Sequence, residues 1–331
     1  MSFQRSIAIT PTSLHTIAVI VMVLWLVSGL FSPSPVPAVP RGDIGWWNSL
    51  PSFVRNEGWS NLLFGLLSAI ATIYMLAELN VANILLRINS RIISIIFGAL
   101  ICSTPYLHAF QPGLLSMLCI LFSYFSLFRS YQMERSSGLI YVSFLYLGIA
   151  TLTAPKLLWL TPTYWIAFYI LKSNNLKSTF ASLLGLITPY WLVGGLSYYK
   201  GMLPAFWDKL SQFCTFHWGG YTQVPTDAWI IIALAFLMFI IGTGDFYSRM
   251  YMDKNQTRNF YYVIILHGFA FILMFLLQPS LYHALTPLML ISASIMFGHF
   301  IANGSSNISN LTVIILSILT LTAYTLNTWI F

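Results

Sequence analysis

Charged residues are scarce in this chain: Asp, Glu, Lys and Arg together make up 7% of it, whereas 58% of its residues are hydrophobic. A soluble domain could not cover its surface with so few polar side chains. Long apolar runs recur from end to end, and about 20 such residues are enough to cross the hydrocarbon core of a bilayer. The composition therefore argues against a soluble protein and predicts a chain that crosses a membrane many times.

Other features that the sequence lacks exclude further classes of protein and site. Of the three cysteines, Cys102 and Cys119 lie in apolar runs and Cys214 lies in a loop, so a disulfide scaffold is not expected. The sequence has no Gly-rich phosphate loop, no G-x-S-x-G and no H-E-x-x-H motif. The histidines are far apart in sequence, and we expect neither a metal nor a cofactor. The net charge of +7 comes from basic residues scattered between apolar runs, which argues against binding to nucleic acid.

The apolar runs predict an all-α, polytopic protein, with about eleven membrane helices (ten to twelve) in one integral-membrane domain, residues 1–331. The predicted helices lie near residues 14–32, 60–83, 92–107, 112–129, 139–154, 157–172, 179–198, 228–246, 260–277, 283–302 and 310–330. Basic residues flank one set of helix ends about twice as often as the other. This bias predicts that the N-terminus is cytoplasmic.

Two connections are much longer than the rest, and both are predicted on the outer side. They cover residues 33–59, after the first helix, and residues 199–227, after the seventh. Apolar residues recur at helical spacing from Leu203 to His217, and more weakly from Trp46 to Val54. These patterns predict helices lying in the membrane interface. An aromatic belt at the level of the headgroups is the alternative interpretation.

The two long connections also hold the candidate site. The first of them contributes the acids Asp43 and Glu57 as candidate general bases, because a carboxylate can accept a proton from a reacting hydroxyl. The other candidates would bind substrate: cations hold phosphate, and aromatic rings offer flat faces to a sugar. These residues are Arg41, Trp46, Trp47, Arg55, Lys200, Asp208, Lys209 and His217. The alternative is a solvated rim of mixed charge.

The remaining acidic residues carry separate expectations. Asp245 precedes Arg249 by four residues, which is the spacing of an ion pair within a helix. Glu134 and Asp253 are expected to be solvated in cytoplasmic loops. Polar residues also recur along one face of a predicted membrane helix and just beyond its end. Such a polar stripe must face protein or water, so it would either line a cytoplasmic vestibule or join two helices. That stripe comprises Glu78, Asn80, Asn83, Arg87 and Arg91.

Several short motifs resemble a family of polytopic inner-membrane proteins from Bacteroidota that has no assigned activity. The motifs are residues 79–80, Arg87, QPGLLSML at 111–118, 129–131 and LLGLITPY at 183–190. The resemblance covers roughly the first two thirds of the chain. It implies a location in the bacterial inner membrane and a polytopic fold, and it implies no particular chemistry.

The layout of the helices and loops is similar to that of the GT-C glycosyltransferases. These enzymes take a sugar from a polyprenyl-phosphate donor at the outer face, and their base is an acid in the first outer loop. On this resemblance Asp43 matches the position of the base. The first loop has no Asp-Asp or Asp-Glu pair, in which it departs from the family.

Three hypotheses follow. The first is a GT-C-like transferase of envelope biogenesis that uses a polyprenyl-phosphate-linked sugar. The second is a non-catalytic scaffold that binds envelope-assembly proteins. The third is a transporter or lipid flippase, for which Glu78, Asn80, Asn83 and His267 are the candidate polar path. The absence of a clear inverted repeat weighs against the third.

Overall fold

The computed structural model describes residues 13–31, 59–86, 91–211, 213, 219–304 and 307–329, and these form an all-helical bundle with no strand among them. The helices are α1 (Leu14–Phe31), α2 (Trp59–Asn83), α3 (Ile92–Cys102), α4 (Pro112–Arg129), α5 (Ser137–Thr153), α6 (Thr161–Ile170), α7 (Leu176–Tyr199), α8 (Leu203–Ser211), α9 (Thr226–Arg249), α10 (Asn255–Leu277), α11 (Tyr282–Asn303) and α12 (Asn307–Trp329). Short 3-10 turns lie at Pro105–Leu107, Pro155–Leu160, Tyr221–Gln223, Met250–Met252 and Pro279–Leu281.

Seven of the described helical segments are long and apolar enough to cross a membrane, which is consistent with a multi-pass membrane protein. They are Trp59–Asn83, Pro112–Arg129, Leu176–Tyr199, Thr226–Met252, Asn255–Leu277, Pro279–Asn303 and Ser309–Asn327. Three further apolar helices are shorter: Leu14–Val27, Ile92–Cys102 and Ser137–Thr153. The prediction of a continuous helix over residues 157–172 is wrong. Pro155 opens a 3-10 turn there, and α6 begins only at Thr161.

Helix α11 is the centre of the bundle. Every residue from Tyr282 to Ala302 is buried, and α11 contacts α3, α4, α9 and α10. Its buried hydroxyls bond to carbonyls of the same helix, as in the 2.6 Å bond from Ser294 Oγ to the oxygen of Leu290. A helix that is largely apolar all round and whose hydroxyl groups bond within the helix can be covered on every side by other helices.

Small residues let neighbouring helices approach closely. A Cβ added at Gly185 in α7 would lie 2.3 Å from the carbonyl oxygen of Tyr141 in α5. Hydroxyl pairs join α4 to α5, with Ser123 Oγ 2.7 Å from Ser143 Oγ. In a membrane the hydrophobic effect does not favour contact of a helix with another helix over contact with lipid. Close packing at small residues and hydrogen bonds between hydroxyl groups are then the usual interactions that hold helices together. Much of the apolar surface of α7 faces outward, including Phe180, Trp191 and Leu196.

Contacts between distant segments define the two ends of the bundle. At the end that we call the loop end, Asn327 Nδ2 donates to the carbonyl oxygens of Ser103, at 2.8 Å, and of Asp227, at 3.4 Å. At the opposite end, the turn end, Tyr261 donates to the oxygen of Leu85 and the amide of Gln132 donates to that of Leu171. The flanks of both long connections lie at the loop end.

The tight approach of α9 to α11 gives a test of this packing. A Cβ at Gly242 would lie 2.5 Å from the backbone carbon and oxygen of Met296, whereas a Cβ at Gly244 would meet nothing within 4 Å. We expect Gly242→Ala to destabilise the protein by about 1–3 kcal/mol, since neither backbone can yield easily. Gly244→Ala is the matched control, and its better helix propensity should leave stability unchanged or slightly raised. The measurement is thermal unfolding in detergent, and equal midpoints for the two variants would contradict the packing.

Candidate functional site

The ten predicted site residues all belong to the two long connections. Seven of the ten predicted site residues lie outside the described residues: Arg41, Asp43, Trp46, Trp47, Arg55, Glu57 and His217. The structure describes the other three. Lys200 follows the last turn of α7, and Asp208 and Lys209 belong to α8.

Helix α8 has the amphipathic character that the sequence predicts, over Leu203–Ser211. Its buried side chain, Phe206, packs against α7, where a Cβ at Gly194 would lie 3.2 Å from the ring. Asp208 is exposed on the other side, and partial burial lowers the pKa of Lys209. Beyond α8, the ring of Phe213 lies 5.4 Å from that of Trp159. Phe206 and Phe213 of the second long connection therefore pack against α7 and the Pro155–Leu160 turn.

The first long connection leaves from the same end. The imidazole of His108, in the segment between α3 and α4, stacks on Trp25 near the end of α1, with ring centroids 4.0 Å apart. At the start of α2, Asn61 forms two bonds with the backbone of Phe110, accepting from its amide at 2.6 Å and donating to its oxygen at 3.2 Å. The segment 103–111 thus packs against Trp25 of α1 and the first turn of α2.

Beneath these flanks lies a group of buried polar side chains. Gln111 Nε2 donates to the oxygen of Tyr106 at 3.2 Å, and its Oε1 lies 3.1 Å from Nδ1 of His283. The other ring nitrogen of His283 has no hydrogen-bond partner among the described residues. Tyr106 stands edge-on to the His283 ring at 6.0 Å. We call Tyr106, Gln111, His283 and Asn327 the polar floor of the loop end.

The sequence alone did not predict the polar floor. Gln111 and His283 are 172 residues apart, and nothing in their local sequence indicates that they pair. Lys156 is likewise only 8% exposed, because the Pro155–Leu160 turn is packed into the bundle. The one local signal was the pair of Pro residues at 105 and 112, which break α3 and open α4.

The turn end holds a second polar group. Asp245 Oδ1 lies 3.0 Å from Nε of Arg249, which confirms the predicted ion pair. The expectation that Asp253 is solvated is wrong: it is buried, and its Oδ2 lies 3.1 Å from Nε2 of His299. The same nitrogen lies 2.8 Å from Nδ2 of Asn303, and Arg249 donates to the oxygen of Asn303. These contacts join α9, the Met250–Met252 turn and α11, so their first effect is structural.

The structure does not bring the four candidates for a transport path together. Asn80 accepts from the amide of Leu86, and Asn83 donates to the oxygen of Leu79, so both terminate α2. His267 is fully buried in α10, and its ring stacks on Tyr124 and Tyr164 at 5.4 and 4.6 Å. Glu78 is exposed on α2. The described part of the chain also has no group of three or more His, Cys, Asp or Glu residues that could hold a metal ion.

Comparison of the chain with known protein families, with curated proteins and with solved structures finds no match. The site is therefore argued from its own residues.

Burial of His108 gives a prediction on pH. Desolvation lowers the pKa of His108 to about 3, although hydrogen bonds with the backbone of Cys102 and Ile101 oppose the shift. The His108 ring takes up a proton near pH 6.5 in the unfolded chain but stays neutral in the folded chain. Its contribution to the free energy of unfolding is therefore complete above that pH and is lost as the pH falls. Between pH 7.5 and 5.5 the loss should be about 1.4 kcal/mol.

We expect His108→Phe, which keeps an aromatic ring over Trp25, to show a smaller loss of stability over this range than the natural chain. Thermal unfolding in detergent at several pH values measures the difference. Parallel pH profiles for the two chains would show that His108 is not neutral in the fold.

Proposed function

We propose that this chain is a multi-pass inner-membrane protein of envelope biogenesis, and that it transfers a sugar from a polyprenyl-phosphate carrier at the loop end. The observation that carries the proposal is that the described flanks of both long connections pack at one end of the bundle, through Trp25, Asn61 and Phe213. That arrangement lets acids and cations from both connections act on one substrate. About eleven membrane passes and a cytoplasmic N-terminus complete the proposal, with the loop end on the outer side.

Under this proposal Asp43 is the general base and Glu57 its alternative. Arg41, Arg55, Lys200 and Lys209 hold the phosphate of the carrier, as charged donors near the headgroups. The partly buried position of Lys209 supports this role, because a cation with less water around it binds phosphate more strongly. Trp46, Trp47, Asp208 and His217 contact the sugar or the acceptor. The polar floor lies at the same end of the bundle and would support the bound substrate from the membrane side.

Chemical labelling tests the proposed orientation. In a Cys214→Ser background, Ser49→Cys and Ser211→Cys each place a thiol in one long connection, and Asn174→Cys places one at the turn end. We expect a membrane-impermeant maleimide to label the first two in intact cells and to label Asn174→Cys only after the cells are opened. Labelling of Ser49→Cys and Ser211→Cys from opposite sides would overturn the proposed site.

Replacement of the base tests the proposed reaction. In a strain that lacks the chain, we expect Asp43→Asn to abolish the glycan that the natural chain restores, with a loss of about 100-fold or more in transfer, as for a missing general base. Glu134→Gln is the matched control, because Glu134 is an exposed acid at the turn end. Blotting of membranes checks that the variants accumulate equally. If both variants restore the glycan, catalysis by Asp43 is wrong, and co-purification of a stoichiometric partner would then favour the scaffold.

A further inference from the structure

A cavity of about 620 Å³ opens on the flank of the bundle at the turn end, away from the proposed transferase site. Helices α1, α2 and α4 bound it, and Arg91 lies at its edge, directly before α3. Most of the wall is apolar and includes Met75, Phe122 and Phe125. Its volume falls within the range that small-molecule sites usually have.

Glu78 is the acidic group of this cavity. It is exposed, and no other described residue forms a hydrogen bond or an ion pair with it. Glu78 lies five residues before the end of α2 at Asn83, which is about 7.5 Å along the helix axis. On a helix that crosses the membrane and ends at Asn83, the carboxylate would lie close to the lipid headgroups. An acid on a membrane helix is costly there unless it faces water or a positive charge.

The other polar groups of the cavity have the opposite or no charge. Arg91 is exposed at the same cavity and carries a permanent positive charge. The hydroxyl of Tyr74 is engaged with Nδ1 of His15, 2.8 Å away. The described wall of the cavity thus carries the carboxylate of Glu78 and the guanidinium of Arg91 beside an apolar surface. An occupant that complements it has an ammonium group, a phosphate and a hydrocarbon chain.

We propose that this cavity binds phosphatidylethanolamine from the surrounding membrane. The primary ammonium of the lipid donates to the Glu78 carboxylate, and the phosphate lies against Arg91. One acyl chain packs along Met75, Phe122 and Phe125. A quaternary ammonium cannot donate a hydrogen bond, so phosphatidylcholine binds more weakly, and phosphatidylglycerol has no cation for Glu78.

Native mass spectrometry of the delipidated, full-length protein tests the proposal. The protein is exchanged with equal amounts of phosphatidylethanolamine, phosphatidylcholine and phosphatidylglycerol that carry the same acyl chains. We expect the natural chain to retain phosphatidylethanolamine about fivefold or more over phosphatidylcholine, the effect of one additional charged hydrogen bond. Glu78→Gln should abolish this preference, and Glu134→Gln, an exposed acid at the same end but outside the cavity, should keep it.

Arg91→Gln separates the two charges. Because both lipids share the phosphate, this variant should retain less of each and leave their ratio unchanged. The proposal is overturned if the natural chain shows no preference, or if Glu78→Gln keeps it. It is also overturned if soluble phosphoethanolamine displaces the lipid at equal concentration, since the apolar wall would then contribute nothing. None of these outcomes depends on Asp43 or on glycan transfer.

Discussion

A helix that is buried on all sides sets the arrangement of this protein. From Tyr282 to Ala302, α11 has no exposed residue, and its hydroxyl groups bond within the helix. Such a helix has to be covered completely, and small residues on its neighbours make the close contacts possible. Gly242 of α9 and Gly113 of α4 both meet the α11 backbone at distances that leave no room for a Cβ. The positions of α3, α4, α9 and α10 follow from this requirement.

This core also determines where polar groups gather. Apolar packing fills the middle of the bundle, where His267 is enclosed by Tyr124 and Tyr164, and polar pairs form toward its two ends. At the loop end, Gln111 and His283 pair beneath the anchors of both long connections. At the turn end, Asp253, which follows the Met250–Met252 turn, contacts His299 of α11, and His299 contacts Asn303 of the same helix. Buried polar groups need partners, so each end is fixed by contacts between distant segments.

The two proposals concern opposite ends of the bundle. The transferase proposal uses charges of the long connections and the floor beneath them, whereas the lipid proposal uses Glu78 and Arg91 at the opposite end. The separation has a practical consequence, because a variant at one end leaves the residues of the other end in place. A lipid held near α1 and α2 would also lie against the helices that carry the first long connection, so it would add to their packing.

The sequence by itself determined the features that depend on neighbours along the chain. Apolar runs of sufficient length predicted most helices, and a four-residue spacing predicted the contact of Asp245 with Arg249, because both are local properties of a helix in lipid. Only the tertiary structure decided the pairing of Gln111 with His283, the burial of Asp253 and Lys156, and the 3-10 turn at Pro155–Leu160 in place of the first turn of a predicted helix. These depend on which helices lie side by side, and periodicity within one segment carries no information on its neighbours in space.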